Sequence, residues 1–175
     1  MTVETLEIKV YVANLGKYNE GELVGDWFTL PTDFEEIAKK IGLNEQYEEY
    51  AIHDYEAPKG IKISEYSNIS KLNEIAEQLE TLESYQAEEI SYLVATGELD
   101  FEEALEKLQN SEYRIFHDCN DMSDVAYEIV EEQGLLNSLP ENLRYYFDYE
   151  KYGRDLEIEG SFYYVGRGVY VELFN

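Results

Sequence analysis

The sequence predicts an α+β protein built as a chain of three small domains. Two observations predict this class. The first and last thirds mix short apolar–polar alternations with helical periodicity, whereas the middle third has helical periodicity only. We therefore expect a small β-sheet domain with one helix over residues 1–60, a helical bundle over 61–111 and a mixed α/β domain over 112–175.

The first third contains three predicted strands. "LEIKVYVANLG" and "ELVGDWFTL" read as two strands joined by a turn, because apolar side chains recur at every second position of the first. "YEEYAIHDYE" reads as a third strand. Strict alternation along it predicts that Ile52 and Asp54 point to the same face.

Helix signals follow in the first and middle thirds. "TDFEEIAKKIGL" predicts a helix in which Thr32 and Glu35 form a capping box and Gly42 marks the end. Three further amphipathic patterns between residues 70 and 109 predict the helical bundle.

The last third predicts a strand, a helix and a closing hairpin, with a second helix before the hairpin. "SLPENLRYYFDYEKYG" predicts that second helix as one segment, which begins with a capping box of Ser138 and Glu141 and ends at Gly153. Within it Tyr145, Tyr149 and Tyr152 recur at helical spacing, which is typical of either a core stripe or an interface.

Charge is the most unusual property of the chain. Thirty-nine Asp and Glu residues against thirteen Lys and Arg residues give a net charge of −26. The three thirds carry −8, −9 and −9, so the acidity is not confined to a tail. A protein of this charge repels nucleic acid and anionic membranes, which we therefore do not expect as partners.

Three further features indicate the cellular compartment of the protein. The single cysteine, Cys119, permits no internal disulfide and indicates a reducing compartment. No apolar run has the length of a membrane span, and the N-terminus lacks a signal-peptide pattern. We expect a soluble, cytoplasmic protein.

Catalytic and metal-binding motifs are weak. His53 and His117 are the only histidines and each precedes an aspartate, but no metal-ligand spacing accompanies them, so we favour hydrogen-bonded or solvated side chains. "DCNDMSD" resembles a calcium loop, yet Met122 occupies a ligand position, and a helix N-cap at Asn120 or Asp121 is the better interpretation. We expect no catalysis, no cofactor and no metal, with an enzyme using His53 or His117 as the alternative.

The charge itself suggests a function. Duplex DNA carries one negative charge per roughly 1.7 Å, so a net charge of −26 equals that of about 44 Å of duplex. Such a body would occupy the basic groove of a DNA-binding enzyme in place of DNA. A halophilic protein would also be acidic but poor in lysine, whereas nine of the thirteen bases here are lysine. An acidic binding protein for another basic DNA-binding protein remains open.

Four stretches resemble the ArdA family of antirestriction proteins: residues 10–31, 47–56, 118–134 and 146–160. The resemblance implies an elongated homodimer of three small domains, with an acidic surface that imitates bent B-form DNA. It implies binding to the modification and specificity subunits of type I restriction–modification enzymes, which excludes their DNA. It further implies carriage on a mobile genetic element.

Two sets of site residues follow from the resemblance and the charge pattern. The carboxylates expected to replace phosphates are Glu20, Glu22, Asp26, Glu35, Glu36, Glu45, Glu48, Glu49, Asp54, Glu56, Asp118, Asp121, Asp124, Glu128, Glu131, Glu132, Asp148, Glu150 and Asp155. The dimer interface implied by the resemblance is Val125, Ile129, Leu135, Leu136, Leu139 and Pro140.

Overall fold

The computed structural model describes residues 6–174 and has the predicted α+β class. Residues 1–5 of the first predicted domain and residue 175 of the third lie outside the described residues. The described part contains two three-stranded antiparallel sheets and eight helices. It divides into two compact units: the first runs through Glu88 and includes Asp100–Glu102, and the second comprises Glu89–Leu99 and the chain from Glu103 onward. The three-domain division stays a prediction.

The first unit contains a sheet of strands β1 (Ile8–Asn14), β2 (Gly25–Leu30) and β3 (Tyr50–Glu56). β1 lies in the middle and pairs antiparallel with both neighbours. Its alternation is confirmed, because Ile8 and Val10 are fully buried whereas the intervening positions are half-exposed. All three predicted strands of this third are present.

The alternation predicted for β3 is wrong at one position. Ile52 pairs with Val12, but Asp54 pairs with Tyr11, so His53 is an extra residue between two consecutive partners. This bulge shifts the side-chain phase by one. Ile52 is consequently buried in the core, while Asp54 lies on the opposite face beside Tyr11.

Helices α1 (Leu15–Asn19) and α2 (Phe34–Ile41) complete the sheet region. α1 replaces the simple turn expected between the first two strands. The cap of α2 is Asp33 rather than Thr32, since the Asp33 side chain accepts the Glu35 N–H at 2.9 Å. The predicted stop is confirmed, because Gly42 caps the helix with a φ of 72°.

The three helices predicted in the middle third are confirmed as α3 (Ile69–Glu80), α4 (Ser84–Ala95) and α5 (Phe101–Asn110). Asn68 caps α3 by accepting the N–H groups of Ser70 and Lys71. The buried positions follow helical periodicity: Ile69, Leu72, Ala76, Leu79, Ile90, Leu93, Phe101, Ala104, Leu105 and Leu108.

The second unit contains a sheet of strands β4 (Tyr113–Phe116), β5 (Phe162–Gly166) and β6 (Val169–Leu173), with β6 in the middle. The predicted hairpin is confirmed. Its turn at residues 166–168 has positive φ throughout, and two of the three residues are glycine.

Three helices accompany this sheet: α6 (Met122–Gln133), α7 (Glu141–Arg144) and α8 (Tyr149–Glu159). The prediction of one helix from Ser138 to Gly153 is therefore wrong. α7 begins after Pro140 without a side-chain cap and has only four residues, and the chain caps α8 anew at Asp148.

Gly153 ends no helix because it is the contact point between α6 and α8. It is buried inside α8, and a Cβ there would lie 2.6 Å from the carbonyl carbon of Met122. Only glycine permits so close an approach of two helix backbones. The core beneath them comprises Phe116, Cys119, Met122, Val125 and Ile129, with Leu156, Phe162 and Tyr170 packed against it.

Candidate partner-binding surface

The carboxylates predicted to replace phosphates lie at the surface of both units. Asp26 and Asp124 are half-buried, and all the other candidates are exposed. This agrees with the high cost of removing an unpaired carboxylate from water. Exposure makes these groups available to a partner, but their match to phosphate spacing stays a prediction.

Few of the candidates are neutralised within the chain. Within residues 6–174, four of them form ion pairs. The pairs are Asp26 with Lys40 at 3.4 Å, Glu56 with Lys9 at 4.0 Å, Glu132 with Arg114, and Glu150 with Arg154 at 3.6 Å. Surface pairs of this kind contribute little to stability. Most of the negative charge consequently faces solvent.

Some candidates have a structural task in addition to their charge. Asp121 caps α6 by accepting the Ser123 N–H at 2.8 Å. A hydrogen bond from the Ser123 hydroxyl, together with this backbone bond, lowers the pKa of Asp121. The cap also confirms one of the two interpretations of "DCNDMSD". Asp148 caps α8 by accepting the Lys151 N–H at 2.9 Å. Glu20 accepts the hydroxyl of Tyr47 at 2.8 Å, which raises the pKa of Tyr47.

Both units carry a similar excess of negative charge. The sequence of the first contains twenty-one acids and seven bases, and that of the second contains eighteen acids and six bases. The net charges are −14 and −12. Neither unit is a neutral scaffold for the other, so each presents an acidic surface of its own.

The stretch implied as a dimer interface has two parts with different burial. Val125 and Ile129 are 0% and 4% exposed and belong to the core of the second unit. They have no free surface for a partner, so their contribution to a dimer is limited to holding α6 in place. Leu135, Leu139 and Pro140 are exposed and Leu136 is half-buried, and these residues remain the predicted contacts.

The tyrosine spacing predicted on one helix is wrong, because Tyr145 precedes α8 and is 82% exposed. Tyr149 and Tyr152 lie within α8 and are half-buried. The Phe147 ring lies 4.9 Å from the Tyr149 ring and 5.6 Å from the Tyr152 ring, and Tyr127 joins the cluster through Tyr149 at 5.3 Å. Burial raises the pKa of Tyr149.

The histidines and the cysteine form no reactive cluster. The exposed His53 packs its ring against Tyr18 at 4.7 Å, and the exposed His117 packs against Tyr92 at 5.8 Å. Cys119 is buried, and burial together with the nearby Glu128 raises its pKa to about 12. Between residues 6 and 174 no group of three or more His, Cys, Asp or Glu side chains is arranged to hold a metal ion.

Sequence reasoning missed two features that the structure reveals. Asn14, at the end of β1, is fully buried, and its side-chain amide donates a hydrogen bond through nitrogen and accepts one through oxygen. Tyr11 and Trp27 pair across β1 and β2 on the face opposite the core. The available signal was the position of Tyr11 between the buried Val10 and Val12, which predicts that its side chain points to the opposite face.

The fold and the surface define an acidic α+β protein whose candidate carboxylates are mostly exposed to solvent. A family model described as antirestriction protein (ArdA) matches residues 10–171, and the chain belongs to this family. Membership implies an antirestriction protein that interacts with restriction–modification enzymes. A search of curated proteins gave no match. None of the helices within the described residues is long and apolar enough to cross a membrane.

Proposed function

We propose that this protein is a DNA mimic that binds the DNA-binding groove of a type I restriction–modification enzyme and competes with DNA. The observation that supports this proposal most directly is the set of exposed, mostly unpaired carboxylates on both units. The partner is the assembly of modification and specificity subunits, which would place the protein in the cytoplasm.

Electrostatics supply the binding energy in this proposal. A DNA-binding groove lined with Lys and Arg attracts phosphates and releases the counterions of both surfaces on contact. Carboxylates at the surface of an acidic protein cause the same release. The net charge of −26 matches that of about 44 Å of duplex, and two copies would match about 90 Å.

Two copies are the proposed working form. The exposed Leu135, Leu139 and Leu143 lie close together in sequence after α6, in a chain of net charge −26. Apolar side chains exposed in such a series favour contact with another protein surface. A homodimer would cover them and double the length of the acidic surface.

Inhibition requires no reaction in this proposal. Competition for the groove depends on occupancy, and His53 and His117 contact aromatic rings rather than a nucleophile. The double variant His53→Gln, His117→Gln is consequently expected to inhibit as the wild type does.

A competition assay tests the proposal. Purified protein is added to a complex of labelled duplex DNA with the modification and specificity subunits of a type I enzyme, at several salt concentrations. We expect DNA displacement that weakens steeply as salt rises, because charge pairing dominates the affinity. No displacement at low salt would contradict the proposal, and loss of inhibition in the double histidine variant would favour an enzyme.

A further inference from the structure

Within the described residues of the first unit, the sheet has one face turned toward the core and one turned away from it. Ile8, Val10 and Val12 point to the core, to which α2 contributes the buried Ile37 and Ile41. The strand register places the alternate positions on the opposite side of the sheet. We call this side the outer face, and its residues are Lys9, Tyr11, Trp27, Thr29, Asp54 and Glu56.

Two aromatic rings occupy the centre of the outer face. Tyr11 pairs with Trp27 across the strands, and their rings meet edge to face at 5.7 Å. A Cβ on Gly25 would lie 2.9 Å from Cε1 of Tyr11, so the Tyr11 ring covers the place where a side chain would otherwise stand. Glycine thus lets the ring lie against the sheet, while Trp27 remains 44% exposed.

Carboxylates flank these rings on the β3 side. The register places Asp54 beside Tyr11, and the hydrogen bond that its side chain accepts from the Tyr55 N–H at 2.8 Å leaves its charge unneutralised. Glu56 lies beside Lys9, at 4.0 Å between charged atoms. The surface therefore combines an exposed indole with negative charge, which is the combination that attracts a cation.

We propose that the outer face receives an arginine side chain of the basic partner, stacked on the Trp27 and Tyr11 rings and paired with Asp54. This inference rests on the proposed function, because it identifies the partner's basic groove as the occupant. Arginine is the cation that stacks on aromatic planes and pairs with carboxylates at the same time. Phosphate-binding grooves are rich in it.

The aromatic contact would give the mimic an attraction that DNA phosphates lack. Charge pairing between the two surfaces weakens as salt rises, whereas stacking of a desolvated guanidinium on an indole depends less on salt. Exposed Trp and Tyr with Arg as partner are also the residues most enriched among those that dominate interface energies. The outer face would therefore contribute at physiological salt, where a purely ionic mimic competes poorly.

The first test replaces Trp27 with alanine and uses Tyr66→Ala as the matched control. Tyr66 is 73% exposed in the same unit and belongs to none of the three strands that form the outer face. In the competition assay at physiological salt, Trp27→Ala is expected to inhibit on the order of tenfold less well. Tyr66→Ala should match the wild type. The salt dependence of Trp27→Ala should stay as steep as that of the wild type, because no charge is removed.

A second pair of variants keeps the test decisive if Trp27→Ala fails to fold, which circular dichroism would reveal. Thr29→Lys adds a positive charge to the outer face, and Ser70→Lys adds the same charge on an exposed position of α3. Only Thr29→Lys is expected to weaken inhibition by several-fold, because it repels the incoming arginine.

The outcomes separate this inference from the proposed function. Failure of the wild type to displace DNA would overturn both. The proposal for the outer face alone would be overturned if the wild type displaces DNA but the variants of a pair inhibit equally. The pairs are Trp27→Ala with Tyr66→Ala, and Thr29→Lys with Ser70→Lys. A change from dimer to monomer in Trp27→Ala, measured by sedimentation, would show that the face binds a second copy instead and would also overturn it.

Discussion

The side-chain amide of Asn14 donates a hydrogen bond to the backbone carbonyl of Ile41 at 3.2 Å and thereby joins the end of β1 to the end of α2. The same nitrogen donates to the carbonyl of Gly42 at 3.2 Å, and its oxygen accepts the Lys17 N–H at 3.0 Å. Within residues 6–174 Asn14 is the one fully buried polar residue. One side chain thus supplies hydrogen-bond partners for an N–H group in the first turn of α1 and for carbonyl groups at the end of α2.

Asn14→Ala is expected to lower the free energy of unfolding of the first unit by about 1–3 kcal/mol, because the buried bond to the Ile41 carbonyl and the bond from the Lys17 N–H are lost. Urea unfolding monitored by Trp27 fluorescence measures the change. Asn19→Ala, an exposed position in α1, serves as the control and should change stability by less than about 0.5 kcal/mol. Equal effects of the two variants would contradict the role of Asn14.

Gly153→Ala is expected to destabilise the second unit by about 1–3 kcal/mol, because the added methyl group would overlap the backbone of Met122. The backbone of Met122 cannot move aside by a change of rotamer as a side chain could, so α6 and α8 would have to separate. The matched control is Glu157→Ala, an exposed position on α8. Thermal unfolding followed by far-ultraviolet circular dichroism compares them, and a Gly153→Ala variant as stable as the control would refute close packing at this point.

The two glycines at Gly42 and Gly153 show how far the sequence predicts the fold. Gly42 follows an amphipathic segment with basic residues in its last turn, and this local pattern correctly predicts a left-handed helix cap. Gly153 has a similar local appearance, yet its role depends on Met122, which lies thirty-one positions earlier. Local signals predict caps, but a contact between distant segments leaves no signal in either one.

The candidate surface was predictable in part for a related reason. Carboxylates remain exposed almost wherever the chain places them, so their accessibility follows from composition alone. The outer face required more, because it depends on which residues are opposite each other across strands. The bulge at His53 illustrates the difficulty: alternation places Asp54 with Ile52, whereas the register places it with Tyr11.

Cys119 is expected to resist thiol reagents while the protein is folded. Burial and the nearby carboxylate of Glu128 raise the pKa of Cys119 from 9.0 to about 12, so the reactive thiolate is scarce at neutral pH. Ellman's reagent at pH 8 should label the native protein only as fast as it unfolds, and should label it at once in urea. Full labelling of native protein within seconds would show that the thiol is accessible.

The same shift predicts a loss of stability at alkaline pH. Because the pKa of Cys119 is higher in the folded than in the unfolded state, its contribution is complete below pH 9 and declines as pH rises from 9.0 toward about 12. The difference in unfolding free energy between the wild type and Cys119→Ala should decrease across this interval. A constant difference from pH 8 to pH 11 would contradict the raised pKa.

Leu139→Lys is expected to convert the proposed dimer to a monomer, because it places a charge in the exposed apolar stretch after α6. Sedimentation velocity measures the oligomeric state. Leu23→Lys, at an exposed leucine of the first unit, is the control and should leave it unchanged. The monomer should still inhibit weakly, since half of the acidic surface remains. If Leu139→Lys remains dimeric, the interface does not lie in this stretch.

Neutralising the carboxylates should weaken inhibition gradually, because the attraction is summed over many charges. Glu48→Gln alone is expected to change inhibition less than about twofold, whereas the combined replacement of Glu22, Glu45, Glu48 and Glu49 by Gln should weaken it by about tenfold or more. The combined variant should also show a shallower salt dependence, since fewer counterions are released.

A control with the same net charge separates position from total charge. Replacing Glu74, Glu77, Glu80 and Glu83 by Gln removes four exposed charges at or just beyond α3 that are not among the predicted phosphate substitutes. If the placement of charge matters, this variant should inhibit better than the combined variant at Glu22, Glu45, Glu48 and Glu49. Equal losses of inhibition in the two variants would show that only the net charge matters. Loss of inhibition from a single neutralisation would contradict distributed mimicry, because one charge supplies only a small fraction of the summed attraction.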